Sequence, residues 1–383
     1  MRYDFLIIGS GGMQGRIVSR DLWERGRSLF LADHYREGSE PLLERDPKLP
    51  FKYLDLRRAR EAAAFIARTD APVVINCAEG DWIIDVFRAC LAAGRHVIDL
   101  GSDIPMTKAQ LALHGTFKRA GLIGITGCGS TPGINDVMLW YAAQRLDHLT
   151  TVEVGFAWDS SIKRFLVPFS MASIIEEFTE PAAAIEDGKW VYRQPLDTLV
   201  EREFRAVGIQ RCFIVRHPET YTFYRYHRRN GLRNLRFYAS FPAHSFDVIR
   251  MLMELGLGSG EPVTIDGAEI QPVEATARTL QRLPMPEGYE ETENLWVDVT
   301  GRKGRKTTRI RMECIVPTLP NWRDAGCNID TGFPASIIAQ MVADGTITAR
   351  GCFSPGPVVP IEPFFAALRE RGMTIYEDGK PLR

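Results

Sequence analysis

The N-terminal thirty-three residues constrain this chain more than any other stretch. An apolar run, Phe5-Leu6-Ile7-Ile8, leads into Gly9-Ser10-Gly11-Gly12-Met13-Gln14-Gly15. An amphipathic stretch follows, then a second apolar run, Leu29-Phe30-Leu31-Ala32, ending on Asp33. A buried strand, a glycine turn, a helix and a strand capped by a carboxylate form the opening of a dinucleotide site. The glycines let the backbone approach a pyrophosphate, and the helix start offers unpaired N–H groups and a partial positive charge. Gly9, Gly11, Gly12, Met13, Gln14 and Gly15 are the candidate cofactor turn. Asp33, eighteen residues beyond Gly15, can accept hydrogen bonds from both ribose hydroxyls. That favours NAD, because a 2′-phosphate would meet a like charge. Arg36, just beyond, can receive such a phosphate, so NADP stays open.

The turn is irregular. A strict Gly-x-Gly-x-x-Gly run needs glycine where Gln14 stands. Either Gly9, Gly11 and Gly15 bracket a turn one residue longer, or Ser10 replaces the first glycine of a Ser10–Gly12–Gly15 frame.

At 383 residues the length fits two domains or one elaborated α/β domain. Lys plus Arg (47) nearly balances Asp plus Glu (48), so no global field attracts nucleic acid or a membrane surface. No apolar run reaches the roughly 18 residues of a membrane span, and the chain enters a strand directly, so neither a span nor a leader is expected. The seven cysteines are odd in number, scattered and free of C-x-x-C spacing. They predict reduced thiols in a cytoplasmic protein, without a disulfide framework or zinc site. No two histidines stand at i, i+4, so no metal site is expected.

The first third alternates strand and helix patterns. Phe51–Leu56, Val73–Ala78, His96–Leu100 and Leu122–Thr126 read as further strands, with helices at Arg60–Arg68 and Trp82–Ala93 between them. Six strands separated by helices predict an α/β fold, a doubly wound parallel sheet. After Leu146 the texture changes. Thr151–Phe156, Arg211–Val215, Leu295–Thr300 and Thr307–Val316 read as strands of a mixed, largely antiparallel domain, with helices near Met171–Phe178 and His244–Leu255. Near Thr331 helices return, with Pro334 in a first turn and Gly345 as the stop, then Glu362–Arg371. The expected division is 1–132 for the dinucleotide domain, 133–331 for an inserted α+β substrate and dimerisation domain, and 332–383 for helices returning to the first.

In an open parallel sheet, ligands bind beyond the carboxyl ends of the strands. Asp55, Cys77, Ala78 and Asp99, at or near such ends, complete the candidate cofactor set. Three loops qualify for chemistry: Ala78–Asp81, Leu100–Asp103 and Gly127–Asp136. In the third, Thr131 can cap a helix begun by Pro132, and the glycines keep backbone N–H groups open to a substrate carboxylate. Ser130, Thr131 and Asn135 are therefore candidate substrate residues. Hydride transfer also needs a group that moves a proton on the substrate nitrogen or oxygen. Asp103, Glu79 and His244 qualify by falling at loops or element ends.

The segment Thr220–Phe246 has no Asp or Glu but carries Arg225, Arg228, Arg229, Arg233 and Arg236 among aromatics. It suits guanidinium recognition of a dicarboxylate, with Arg225 as the candidate. It equally suits a solvated or subunit-facing strand pair. The balanced net charge speaks against nucleic acid.

Several segments resemble the saccharopine dehydrogenase-like family, which includes lysine 6-dehydrogenase, saccharopine reductase and carboxynorspermidine dehydrogenase. They are the glycine turn followed by Arg16, Gly127–Asn135 (GCGSTPGIN), Phe169–Gly188, Phe241–His244 (FPAH, with Ala243 where the family pattern has glycine), Thr331–Gly351 and Pro363–Gly372 (PFFAALRERG). The resemblance implies a Rossmann domain with an inserted mixed domain, a homodimer, and pyridine-nucleotide oxidoreduction at a carbon–nitrogen bond. Thr131 stands where saccharopine reductases carry Asp, and Asp33 leans towards the NAD-using lysine dehydrogenase branch. The expectation is an NAD(P)-dependent oxidoreductase acting on an amino acid or amine through an imine. Two alternatives remain: reductive condensation of a keto acid or aldehyde with an amine, and a nucleotide-binding sensor without turnover.

Overall fold

A computed structural model describes residues 2–101, 103–167, 170–284 and 286–382. Ser102 and Phe169, in two of the segments singled out above, lie outside the described residues. The chain divides into two compact units. The first comprises Met1–Gln144, Asn328–Ile375 and Pro381–Arg383; the second comprises Arg145–Cys327 and Tyr376–Lys380.

The first unit is built on strands β1 (Phe5–Ile8), β2 (Leu29–Asp33), β3 (Phe51–Tyr53), β4 (Val73–Asn76), β5 (His96–Asp99) and β6 (Ile123–Ile125). Their order is β3-β2-β1-β4-β5-β6, with Gly351–Phe353 as a seventh strand beside β6, and every pair is parallel. β1 and β4 are buried at every position, as their unbroken apolar runs demand when helices cover both faces. The order reverses between β1 and β4, so the loops after these two strands flank the switch point where ligands bind such sheets. The helix Met13–Glu24 buries Ile17, Val18 and Leu22.

The late helix Ile329–Ala343 belongs to this unit and is buried over most of its length. It crosses Met13–Glu24 at Gly332, where a Cβ would stand 2.3 Å from Ile17. Pro334 lies inside this helix, not in its first turn, because the helix starts earlier than its apolar stripe suggested. The expected boundaries at 132/133 and 331/332 therefore move. Helix Ile134–Ala143 and the whole of Ile329–Ala343 fall in the first unit, while Tyr376–Lys380 falls in the second. A buried ion pair ties the chain's two ends within this unit. Arg371 donates from Nη2 to Asp21 Oδ2 at 2.9 Å and from Nε to both carboxylate oxygens at 3.1 and 3.2 Å. Ser336 Oγ adds a bond to Oδ2 at 2.5 Å.

The second unit is a mixed sheet whose main path runs Val200–Phe204, Gly208–Ile214, Asn234–Phe241, His148–Ser160, Glu291–Lys303 and Lys306–Pro317, with Tyr376–Lys380 at its edge. Ala182–Glu186 pairs off this path with Asn234–Phe241, and Lys189–Arg193 pairs with Ala182–Glu186. Asn234–Phe241 lies parallel to His148–Ser160, which is antiparallel to Glu291–Lys303. The arginine-rich segment is thus not a strand pair. It folds as the helix Glu219–His227 followed by the central strand Asn234–Phe241. One side of that strand joins an aromatic cluster of Phe156, Phe178, Phe213, Phe237, Phe241 and Phe246. On the other, Arg202 lies 4.9 Å from the ring centre of Tyr238 and 4.6 Å from that of Trp296.

Candidate active site

The glycine turn resolves in favour of the longer frame. Gly9 has φ +78°, and a Cβ there would stand 2.7 Å from the Ala78 amide nitrogen. A Cβ on Gly15 would fall 1.9 Å from the Gly9 carbonyl oxygen, and one on Gly11 would fall 2.5 Å from that of Tyr35. Gly12, by contrast, has nothing nearer than 3.5 Å. It is the N-cap of helix Met13–Glu24 and brings no side chain to that cap. The first-turn amides at Met13 and Gln14 thus face a cradle that a side chain at Gly12 would fill, which fits a pyrophosphate.

Asp33 is buried at the end of β2. Its Oδ2 accepts the Gly11 N–H at 2.7 Å and its Oδ1 the Tyr35 N–H at 2.9 Å. One carboxylate therefore fixes both the turn and the loop after β2, with acceptor capacity remaining for ribose hydroxyls. Arg36 is engaged elsewhere: it donates to Glu40 at 2.7 Å and lies over the Phe51 ring at 5.2 Å. Asp33→Asn keeps an acceptor but removes the charge that meets a 2′-phosphate. The expected result is a fall of about tenfold in the NAD over NADP ratio of kcat/KM; an unchanged ratio would take Asp33 off the ribose.

The other expected cofactor residues divide. Ala78 packs against Gly9, and Cys77 lies beside it after β4 with its thiol pushed well above the usual range by burial. Asp55, beyond β3, accepts from its neighbour Arg57 at 2.9 Å through each oxygen, and that bond holds its carboxyl below the usual value. Asp99 is enclosed. Its Oδ1 accepts from Gly101 N–H at 3.0 Å and Gly127 N–H at 2.9 Å, and Gln110 bonds Oδ2. Burial raises its pKa. This buried carboxylate holds two loops together, which is the role its bonds give it.

Among the three proton candidates, Glu79 is exposed after β4. Asp103 caps helix Ile104–Ala112, accepting the Met106 N–H at 2.8 Å. In the loop after β6 the helix begins at Ile134 rather than Pro132. Its N-cap is Gly133, whose N–H donates to Oδ2 of Asp136 in the first turn at 3.1 Å, so Thr131 does not cap it. A Cβ on Gly133 would stand 1.8 Å from the Gly129 carbonyl oxygen, so this loop is closed on itself. Asn135 is wholly buried in the first turn of that helix. Ser130 Oγ lies 3.0 Å from Thr331 Oγ1, and Thr131 is half-buried beside it.

In the second unit His244 stands in the first turn of helix Ala243–Glu254, 14% exposed at its side chain. Its Nε2 lies 3.2 Å from Asp159 Oδ1 and its Nδ1 3.1 Å from Ser245 Oγ, with the Trp158 ring edge-on at 6.3 Å. Lys163 closes on the other Asp159 oxygen. The Trp158 indole N–H is buried with no hydrogen-bond partner among the described residues. Opposite Ser160 in the register, Glu291 accepts the Tyr289 O–H and the Cys327 N–H, each at 2.6 Å, and burial raises its pKa. Sequence reasoning found His244 but missed Asp159, Lys163 and Glu291; the polar run Asp159-Ser160-Ser161 at the end of an alternating strand was the available signal. Arg225 lies on the exposed side of helix Glu219–His227, donating to the Tyr221 hydroxyl at 3.1 Å.

Residues 5–125 match the family model for the saccharopine dehydrogenase NADP binding domain, and residues 129–373 match that for the saccharopine dehydrogenase C-terminal domain. The chain belongs to the saccharopine dehydrogenase family. As a member it is an NAD(P)-dependent oxidoreductase. Among curated relatives it is 24% identical to a carboxyaminopropylagmatine dehydrogenase of Synechocystis sp., over 97% of this chain and 96% of that one. It is 23% identical to a carboxynorspermidine synthase of Vibrio cholerae, over 96% and 95%. Among solved structures, the apo saccharopine dehydrogenase (L-Glu forming) of Saccharomyces cerevisiae has a TM-score of 0.78 at 13% identity, covering all of both chains, and shows the shared fold. The family's two domain types meet between residues 125 and 129, ahead of the structural division after Gln144.

Proposed function

We propose that this enzyme makes a secondary amine bearing a carboxylate, by NAD-linked reduction of the imine formed between an amine and a carboxylated aldehyde or keto acid. The observation that carries this reading is the full-length likeness to two enzymes of carboxylated amines, matched through both domains. Between the two chemistries expected from the sequence, reductive condensation is the one those relatives support. The bound coenzyme supplies or takes the hydride. The glycine turn holds its pyrophosphate, and Asp33 supports NAD as the preferred form. Ser130 and Thr131 lie at the substrate end of the first unit.

His244 passes the proton to or from the substrate nitrogen. Asp159 orients the ring through the contact at Nε2, as a carboxylate at one imidazole nitrogen does. The neutral Ser245 contact is the one a substrate atom displaces. Lys163 and the Trp158 N–H supply donors for a carboxylate. The seven cysteines, none in a disulfide among the described residues, support a reducing compartment such as the cytoplasm, and a homodimer is the assembly proposed. The test follows NADH and NADPH oxidation with diamines and agmatine, each paired with short carboxylated aldehydes or keto acids. NADH oxidation that requires both partners is expected. NAD reduction by lysine alone would replace this reading with lysine dehydrogenation.

A further inference from the structure

One stretch of the second unit is built without an interior. None of the described residues from Met251 to Glu290 is buried. The stretch nevertheless holds an antiparallel hairpin, Val263–Ile265 with Ala268–Ile270, and a nine-residue helix, Pro272–Leu280, with no buried side chain. The helix leans on helix Met171–Thr179, whose Met171 N–H donates to Gln281 Oε1 at 3.2 Å, but a lone hairpin is marginal in water. Its surface is apolar where water is expected: Met251 is 58% exposed, Leu255 69% and Ile265 53%. Such surface marks an interaction site. The arm is also acidic, since Glu261, Asp266, Glu269, Glu274 and Glu287 outnumber Arg278 and Arg282.

Elsewhere in the same unit lies a surface of the opposite character. Arg225, Arg228, Arg229 and Arg233 are exposed on and just after helix Glu219–His227. Beside that helix, strand Lys189–Arg193 exposes Trp190 and Tyr192, the latter at 68%, with Trp190 edge-on to Tyr224 at 6.3 Å. Arm and patch are both open to solvent in the single chain, so neither covers the other within it.

We propose that the acidic, apolar arm of one copy docks on the basic, aromatic patch of a second copy, reciprocally, in a two-fold dimer. Each chain carries both halves of the contact, so a two-fold axis satisfies both with identical pairings. The inference rests on the homodimer reading and is independent of the chemistry.

The test is sedimentation of the full-length chain and of two charge reversals, Glu269→Arg/Glu274→Arg on the arm and Arg228→Glu/Arg229→Glu on the patch. The native chain is expected to be a dimer that weakens as salt is raised. Each reversal sets like charges together and is expected to raise the dimer Kd about tenfold or more. An equimolar mixture of the two reversed chains pairs positive arm with negative patch, and negative arm with positive patch, so it is expected to re-form dimers. A monomeric native chain overturns the proposal together with the homodimer reading. A native dimer that neither reversal weakens, or reversed chains that stay apart when mixed, overturns the docking mode while leaving a dimer in place.

Discussion

His244→Gln is expected to lower kcat by roughly 100- to 10,000-fold, the range for losing a positioned proton donor or acceptor, with KM for the coenzyme unchanged. The side chain is part-buried and held on both ring nitrogens, by Asp159 at 3.2 Å and Ser245 at 3.1 Å. Its orientation is therefore set before a substrate arrives, and the charge it gains on protonation has a carboxylate beside it. Glutamine keeps the length and one donor but cannot carry the proton. In the proposed reading coenzyme binding belongs to the glycine turn and Asp33, so a binding titration with NAD separates lost chemistry from a lost fold. Asp159→Asn tests the pairing independently, because it keeps an oxygen at the ring and removes the charge. A His244→Gln enzyme with native kcat would move the proton transfer to another group, with exposed Glu79 next in line.

The largest effect on stability is expected from Asp21→Ala. Asp21 and Arg371 are each almost entirely enclosed, with side chains 6% and 4% exposed. Burial already lowers the Arg371 pKa against the pull of its partner. Removing the carboxylate leaves a guanidinium in an apolar setting with the Ala367 carbonyl as its remaining anchor, and takes from the Ser336 hydroxyl the acceptor of its proton, leaving it the Gln340 amide at 3.3 Å. Breaking a buried pair in this way costs roughly 3–5 kcal/mol. The double replacement Asp21→Leu/Arg371→Met removes both charges and is expected to recover much of that loss. Urea unfolding followed by NAD binding reports the first unit directly. A single variant within about 0.5 kcal/mol of native would show that water reaches the pair.

The parallel sheet was legible because its strands are short, doubly covered and separated by helices with clear apolar faces. β1 and β4 read as strands from composition alone. The second unit was less legible for the opposite reason. Asn234–Phe241 is a central strand whose aromatics serve two different faces, so it shows no simple alternation, and its arginines suggested a surface. The site was read unevenly too. The glycine turn and Asp33 announce themselves because backbone approach dictates residue type. Asp99 and Asn135 look available in sequence, yet the loops close over them. Asp159 became visible as a partner only once His244 had been brought to it from a separate helix.

The interrupted layout of the first unit has a consequence for biogenesis. A nascent chain emerges from its N-terminus, yet helix Ile329–Ala343 and strand Gly351–Phe353, which complete the parallel sheet unit, come from its last portion. The glycine turn is translated well before the helix that packs behind it. During synthesis the N-terminal third must wait, half-covered, while the intervening segment is made, so a ribosome stalled before residue 328 would display an unfinished nucleotide fold that chaperones can recognise.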